Sequence, residues 1–185
     1  GVHTGHQAIL KTLIEQATLY QGESIVLSFH PHPRRVLSNP DAPSLLTSLD
    51  ERILQFQKHG INHLVIVPFD PSFSDIKAED YVRDFLVGNF NPKCIVIGYD
   101  HKFGKNREGD FNLLRSLGKK YDYAVCEIPE TMLNESRISS TEIRNTLLNG
   151  NINIANELLS YPFRLVGSEM CIRDRPWGTL QQTLP

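Results

Sequence analysis

The sequence predicts an α/β fold: a parallel sheet with helices on both faces. Two observations carry that expectation. Short apolar, β-branched runs recur at residues 25–29, 64–69, 94–98 and 123–128, each the length of a buried strand. Segments with helical spacing separate them, and such alternation is the pattern of parallel α/β architecture.

The elements follow in order. A first helix is expected from Thr4, where Thr4 and Gln7 have capping-box spacing and Ile9, Leu10, Leu13, Ile14 and Ala17 share a face, with Gly22 just beyond its end. Ser48 and Glu51 cap a second helix that should bury Ile53, Leu54 and Phe56 and stop at Gly60. A third runs over about 78–86 and a fourth over about 111–119. The last pair, 140–148 and 152–159, is divided by the turn signal Asn149-Gly150-Asn151. A helix opening at Thr4 should be fed by a strand ending just before Gly1. The pattern therefore expects a further, central strand upstream and treats the chain, which opens without methionine, as a fragment. After about Gly167 the text Ser168-Glu169-Met170-Cys171-Ile172-Arg173-Asp174-Arg175 keeps no period, and the tail 168–185 reads as an artefact of cloning or assembly.

Composition limits what such a chain does. With 185 residues, 40% hydrophobic and 22% charged, it can bury one core. A formal charge of -2 gives no global basic surface for a nucleic-acid backbone or an acidic membrane, so any phosphate chemistry must be local. Cys94, Cys126 and Cys171 form no C-x-x-C pair, which points to a reducing, cytoplasmic setting. No run reaches the roughly 18 apolar residues of a membrane span, and no charged leader precedes an apolar stretch.

Two motifs carry chemistry. His3-Thr4-Gly5-His6 sits where a strand hands over to a helix, with Gly5 admitting a ligand close to the backbone and free amides pointing outward from the first turn. Taken alone, the two histidines read equally as a turn residue and a surface residue, or as a pair facing a phosphate chain. Arg137-Ile138-Ser139-Ser140-Thr141-Glu142-Ile143-Arg144 opens another helix. Ser139 and Glu142 make a capping box, but capping leaves the hydroxyls of Ser140 and Thr141 and the guanidinium groups of Arg137 and Arg144 unexplained. Together the two helix starts make a polyphosphate clamp. His30 and His32 fail as a metal pair, because no third ligand has matching spacing and prolines flank His32. His59, His63 and His101 carry no pattern.

From Gly1 to about Gly167 the chain resembles the nucleotidyltransferases with H-x-G-H and I-S-S-T-x-I-R motifs, and within them the adenylyltransferase module of bifunctional riboflavin kinase/FAD synthetases. Four segments carry the resemblance in order: 1–7, Ser28-Phe29-His30-Pro31-His32-Pro33, the glycine-containing stretch from Gly98 to Asp110, and the Ser139 motif. It implies a Rossmann-like sheet of nucleotidyltransferase type lacking its first strand, with the module over 1–160 and a truncated riboflavin kinase barrel starting at 161–167. Kinase activity is not expected. The implied reaction joins ATP and FMN into FAD and pyrophosphate with Mg²⁺. His3, His6 and Arg144 would be catalytic, while Gly5, Ser139, Ser140, Thr141 and Arg137 would hold ATP phosphates. Pro31, Pro33, Gly98, Asp100, Phe103 and Arg107 would contact flavin, with Asp100 the candidate Mg²⁺ ligand. Read from the residues alone, Asp100 is also a plain turn residue, and Pro31 and Pro33 are also rigid spacers. Other readings are a pantetheine-phosphate adenylyltransferase, a cytidylyltransferase, or a non-catalytic flavin or nucleotide binder. A class I synthetase type of nucleic-acid enzyme fits poorly with the acidic balance and short length.

Overall fold

All four expected strands form: β1 (Ile25–His30), β2 (His63–Pro68), β3 (Cys94–Gly98) and β4 (Ala124–Ile128). This computed structural model describes residues 2–37, 45–129 and 139–164. Arg137, Cys171, residues 165–167 and the tail 168–185 lie outside the described residues. β1 pairs in parallel with β2, Ile25 opposite His63 through His30 opposite Pro68. β3 pairs in parallel with β4, Cys94 opposite Ala124 through Gly98 opposite Ile128. The described strands thus make two separate two-stranded sheets.

Helices connect them: α1 (Thr4–Leu19), α2 (Pro33–Val36), α3 (Leu49–Lys58) and α4 (Pro71–Ser74) come first. Ala78–Asp80, a π-helical stretch Tyr81–Val87 and Gly88–Phe90 then run on as one helix, α5. A 3₁₀ turn, Lys105–Arg107, precedes α6 (Phe111–Tyr121), α7 (Ser140–Leu148) and α8 (Ile152–Leu159). Local chemistry sets several of their ends. The Ser48 hydroxyl accepts the Glu51 N–H at 3.2 Å while Glu51 accepts the Ser48 N–H at 3.0 Å, the reciprocal box expected from the sequence. Asp110 accepts the Leu113 N–H at 3.1 Å to start α6, and Asp122 in the left-handed region ends it. Gly150, with φ of 75°, makes the turn between α7 and α8.

Two expectations fail, and the described residues of a third segment are not in a strand. α1 starts at Thr4, but no Thr4–Gln7 box forms: His3 is the N-cap and makes no side-chain cap bond. Gln7 reaches instead to the end of α8, donating to Ser160 Oγ at 2.6 Å and to the Leu159 carbonyl at 3.1 Å. In α3, Ile53 and Leu54 stay 39% and 46% exposed. Arg52 and Phe56, one turn apart, form the inward face in their place, because residues at i and i+4 share one side of a helix. Residues 161–164, the described part of the expected barrel strand, form no strand. Tyr161 and Phe163 pack on the α7–α8 hairpin, and the Phe163 N–H donates to Asn156 at 2.7 Å.

Burial divides between two cores. Val82 of α5, Ile97 of β3, Leu114 of α6 and the loop residue Phe103 form one with Ala78 and Tyr123. Leu46 closes the other over Ile143, Ala155 and Leu159. Each fully buried Leu or Val contributes roughly 1.5–3 kcal/mol relative to exposure.

Between the sheets lies a cleft of about 780 Å³, lined by every residue from Ile25 to Phe29 and every residue from Cys94 to Gly98. Consecutive lining residues mean that β1 and β3 offer their edges to it. The terminal ladder bonds set which groups point there. The His63 N–H donates to Ser24 O at 3.0 Å and the Phe69 N–H to His30 O at 3.2 Å, so even-numbered residues of β1 face β2. The Ala124 N–H donates to Lys93 O at 2.9 Å, so odd-numbered residues of β3 face β4. Ile25, Leu27 and Phe29 of β1, with Cys94, Val96 and Gly98 of β3, therefore turn their peptide groups into the cleft. This is where the sequence expects a further strand. Amide hydrogen exchange should be fast at Leu27 and Val96 while their neighbours Val26, Ser28, Ile95 and Ile97 are protected. Equal protection along each strand would show that the cleft edges are paired.

Candidate active site

At the carboxyl ends of β1 and β3 the cleft meets the N-termini of two helices, the crevice where ligands bind open parallel sheets. The first is α1. Because no side chain caps it, its first-turn N–H groups are left for an external acceptor. Two polar atoms there are buried without a hydrogen-bond partner, His3 Nδ1 and Thr4 Oγ1. Buried polar atoms are almost always paired, so this pair marks a place where a polar ligand belongs. The His6 ring lines the cleft, and His3, 8% exposed, packs against it with ring centroids 4.0 Å apart. Of the two expected catalytic histidines, His6 alone reaches the cleft surface. Burial, and then the neighbouring His6, push the His3 pKa down to about 3; burial brings His6, which keeps an exposed edge, down to about 4. Both rings are neutral at pH 7. Gly5 is buried in the same turn.

The second helix start is that of α7. The Ser139 hydroxyl accepts the Glu142 N–H at 3.1 Å and so is spent on capping. Ser140 and Arg144, one turn apart, line the cleft, whereas Thr141 is exposed and does not. Sequence reasoning overlooked Arg52, whose Nη1 donates to Ser28 Oγ at 2.8 Å and to the Phe29 carbonyl at 3.3 Å. It marked Phe103 but overlooked the strip of rings to which Phe103 belongs. Phe29 lies 5.6 Å from Phe73, Phe73 6.0 Å from Tyr81, Tyr81 5.6 Å from Phe103, and Phe103 6.0 Å from His101. Phe29, Tyr81, Phe103 and His101 all line the cleft. No single element carries them, so no periodicity could have revealed the strip.

A family model described as FAD synthetase matches residues 1–142. The chain belongs to the FAD synthetase family. It is 36% identical over 169 residues to the FAD synthetase of Listeria monocytogenes, covering 90% of this chain and 68% of that protein. It is 34% identical over 167 residues to the bifunctional riboflavin kinase/FMN adenylyltransferase of Escherichia coli K12, covering 90% and 53% respectively. The chain spans about half the length of the bifunctional relatives it matches. A crystal structure described as a macrolide-efflux protein from Streptococcus pneumoniae superposes with a TM-score of 0.74 at 27% identity, covering 88% of this chain and 52% of that one. Among the described residues no helix is long and apolar enough to cross a membrane.

Within this FAD synthetase fold, the residues expected to contact flavin divide. Gly98 and Phe103 line the cleft; Pro31, Pro33, Asp100 and Arg107 do not. The His30–Pro31 peptide is cis, Pro33 opens α2, and His32 between the two prolines faces the cleft instead. Phe103 is at once a core residue and a wall of the site. Asp100 is exposed beside His101, whose pKa burial lowers and Asp100 draws back up. The loop from Gly98 to Asp110 is pinned to α5. The Lys105 N–H donates to Ile76 O at 2.7 Å, and Glu108 accepts the Ala78 N–H at 3.0 Å. Gly104, with φ of +73°, sits so close to Ala78 that a Cβ would lie 2.6 Å from its Cα.

Gly104→Ala should therefore cost about 2–4 kcal/mol in urea unfolding, from a left-handed backbone and a clash that neither side can relieve. A loss under 0.5 kcal/mol would mean that the loop is not held against α5. The histidines predict a pH effect. Their folded pKa values lie below the ordinary 6.5, so between about pH 4 and 6.5 the unfolded chain binds protons that the folded chain refuses. The pair costs nothing above about pH 6.5, where both states hold it neutral, and lowers stability progressively as pH falls towards 4. Unfolding free energies measured across that window should slope less for a His3→Gln/His6→Gln variant than for the wild type. Parallel slopes would show that the pair titrates normally.

Proposed function

We propose that this chain carries the FMN adenylyltransferase step, transferring AMP from ATP to FMN to give FAD and pyrophosphate. The observation that carries the reading is the convergence of two helix N-termini on one cleft. One start is uncapped beside His6 and the orphaned polar atoms of His3 and Thr4, and the other presents Ser140 and Arg144. The relatives named for FAD synthesis support the same reaction. We assign the module to residues 1–160 and no kinase activity to the chain.

The chemistry asks for little beyond placement. An FMN phosphate oxygen attacks the α-phosphorus of ATP, the bond to the bridging oxygen breaks, and pyrophosphate leaves with the electron pair. The attacking phosphate is already anionic at neutral pH, so no protein nucleophile or general base is needed. What remains is to hold two anions together and to stabilise charge on the departing pyrophosphate. The α1 amides, His6 and Arg144 supply donors and positive potential for that, and His3 backs His6. A neutral imidazole donates one N–H; a polyphosphate beside the pair draws their pKa values back up, adding charge when it is most useful. The aromatic strip offers rings of the size and flatness needed to pack an isoalloxazine.

Mg²⁺ would be held here chiefly by the substrate's phosphates. Among the described residues no three His, Cys, Asp or Glu side chains cluster as a metal site, and Asp100 is a single exposed carboxylate. Mg²⁺ commonly binds through one carboxylate and substrate phosphates, where it neutralises phosphate charge. We place the reaction in the cytoplasm, with no nucleic-acid or membrane partner.

Incubation with ATP, Mg²⁺ and FMN, with FAD followed by chromatography, tests the proposal. FAD should form, and His6→Ala should lower turnover roughly 10²- to 10³-fold with unchanged thermal stability at pH 7. Undiminished turnover in the variant would remove His6 from the mechanism. Absence of FAD with the wild type would defeat the assignment of this activity to the chain.

A further inference from the structure

Arg52 has no part in that scheme, yet its position is tightly built. The Ser48–Glu51 box fixes the first turn of α3, and the Arg52 N–H closes that turn on Ser48 O at 3.1 Å. The side chain then crosses to the carboxyl end of β1, where Ser28 is buried and the Phe29 carbonyl turns away from β2. Both hydrogen bonds of the guanidinium leave from Nη1. Nε and Nη2 carry three further N–H donors with no acceptor among the described residues.

No described carboxylate pairs with this cation; the ion pairs of the described residues involve other groups. The side chain is partly buried, and that burial pulls its pKa below the usual arginine value. A half-buried guanidinium with no counter-charge and three unused donors is better satisfied by an acceptor than by the cleft alone. Arg52 lines the same cleft as His6, Ser140 and Arg144. An anion entering from the cleft would meet those open donors directly. A guanidinium anchored by one nitrogen and open along its Nε–Nη2 edge has the planar fork that takes two oxygens of a phosphate at once.

We propose that Arg52 is a phosphate ligand of the site: Nη1 holds the arm on Ser28 and Phe29, and the Nε–Nη2 edge binds a substrate phosphate at the carboxyl end of β1. The inference rests on the adenylyltransferase reading only for the source of that phosphate, FMN or ATP. The phosphate chemistry stands without it.

The test compares the wild type with Arg52→Gln and Arg52→Lys in thermal unfolding and calorimetric titration, using pyrophosphate, ATP, FMN and riboflavin as probes. Pyrophosphate should raise the wild-type Tm and bind Arg52→Gln roughly 10- to 100-fold more weakly, with Arg52→Lys between them. Without any anion, Arg52→Gln should be as stable as the wild type or more so, because an unpaired charge is gone. A loss of FMN affinity with riboflavin unaffected assigns the flavin phosphate; a loss confined to ATP and pyrophosphate assigns the donor phosphates. Equal binding by wild type and Arg52→Gln would overturn the proposal. So would no anion-dependent stabilisation of the wild type, or a loss that extends to riboflavin, since a mere brace for β1 behaves in that way. A wild type that makes no FAD but keeps Arg52-dependent pyrophosphate binding refutes the reaction and not the site. A variant that makes FAD at full rate and affinity refutes the site and not the reaction.

Discussion

Parallel pairing is the constraint on which the rest of the structure depends. Two strands that run the same way cannot be joined by a tight turn, so the chain must travel back along the sheet before the next strand begins. Helices make that return, and each helix that follows a strand starts at the strand's carboxyl end. Unpaired N–H groups and the positive end of the helix dipole therefore collect along one rim. In this chain the rim holds the starts of α1 and α7, and the cleft between β1 and β3 brings them to the same ligand space. The site is a consequence of the topology before any special residue is placed in it.

Side chains then decide which helix start is left open. α3 and α6 are closed by Ser48 and Asp110, whose oxygens satisfy first-turn amides, and α7 spends Ser139 in the same way. α1 has a histidine at the capping position and makes no such bond. Had the Thr4–Gln7 box formed, it would have satisfied amides that an anion needs. Gln7 is occupied elsewhere, on Leu159 and Ser160, so one residue both ties α1 to α8 and leaves the first turn of α1 uncapped.

Much of the fold was legible in the sequence because its signals are local. A buried parallel strand is a short apolar run, and β3 matches its expected run residue for residue; α7 and α8 match their expected spans, with Gly150 at the turn between them. The α3 face was misread for a reason of the opposite kind. Ile53 and Leu54 look like core residues by composition, but a helix has one inward stripe, and here Arg52 and Phe56 own it. The lining of the cleft was legible where a motif concentrates it, at His6, Ser140 and Arg144. It was illegible where distant segments assemble it. Phe29 and Tyr81 come from a strand and a helix, and only the sheet and the pinned loop bring their rings towards Phe103, which the sequence did mark.

The cleft has two characters, and the difference bears on how such a site works. Towards the amino ends of the strands its walls are Leu10, Leu13 and Ala17 of α1 with the unpaired edges of β1 and β3. An apolar, unpaired edge of this kind is a surface that folded proteins normally cover, because its peptide groups lose water without gaining partners. Towards the carboxyl ends the walls are histidine, arginine and serine. Covering the lower part with a strand would restore a continuous sheet, stiffen both edges and deny water access from below. The donors at the rim would then act in a drier site, where hydrogen bonds and charges are stronger and must each be answered. Near them, His3 Nδ1 and Thr4 Oγ1 are buried without a partner, and the Arg52 guanidinium spends only Nη1 on the protein. All three lie where the strand ends and the α1 start come together, the part of the molecule that topology alone already marks out.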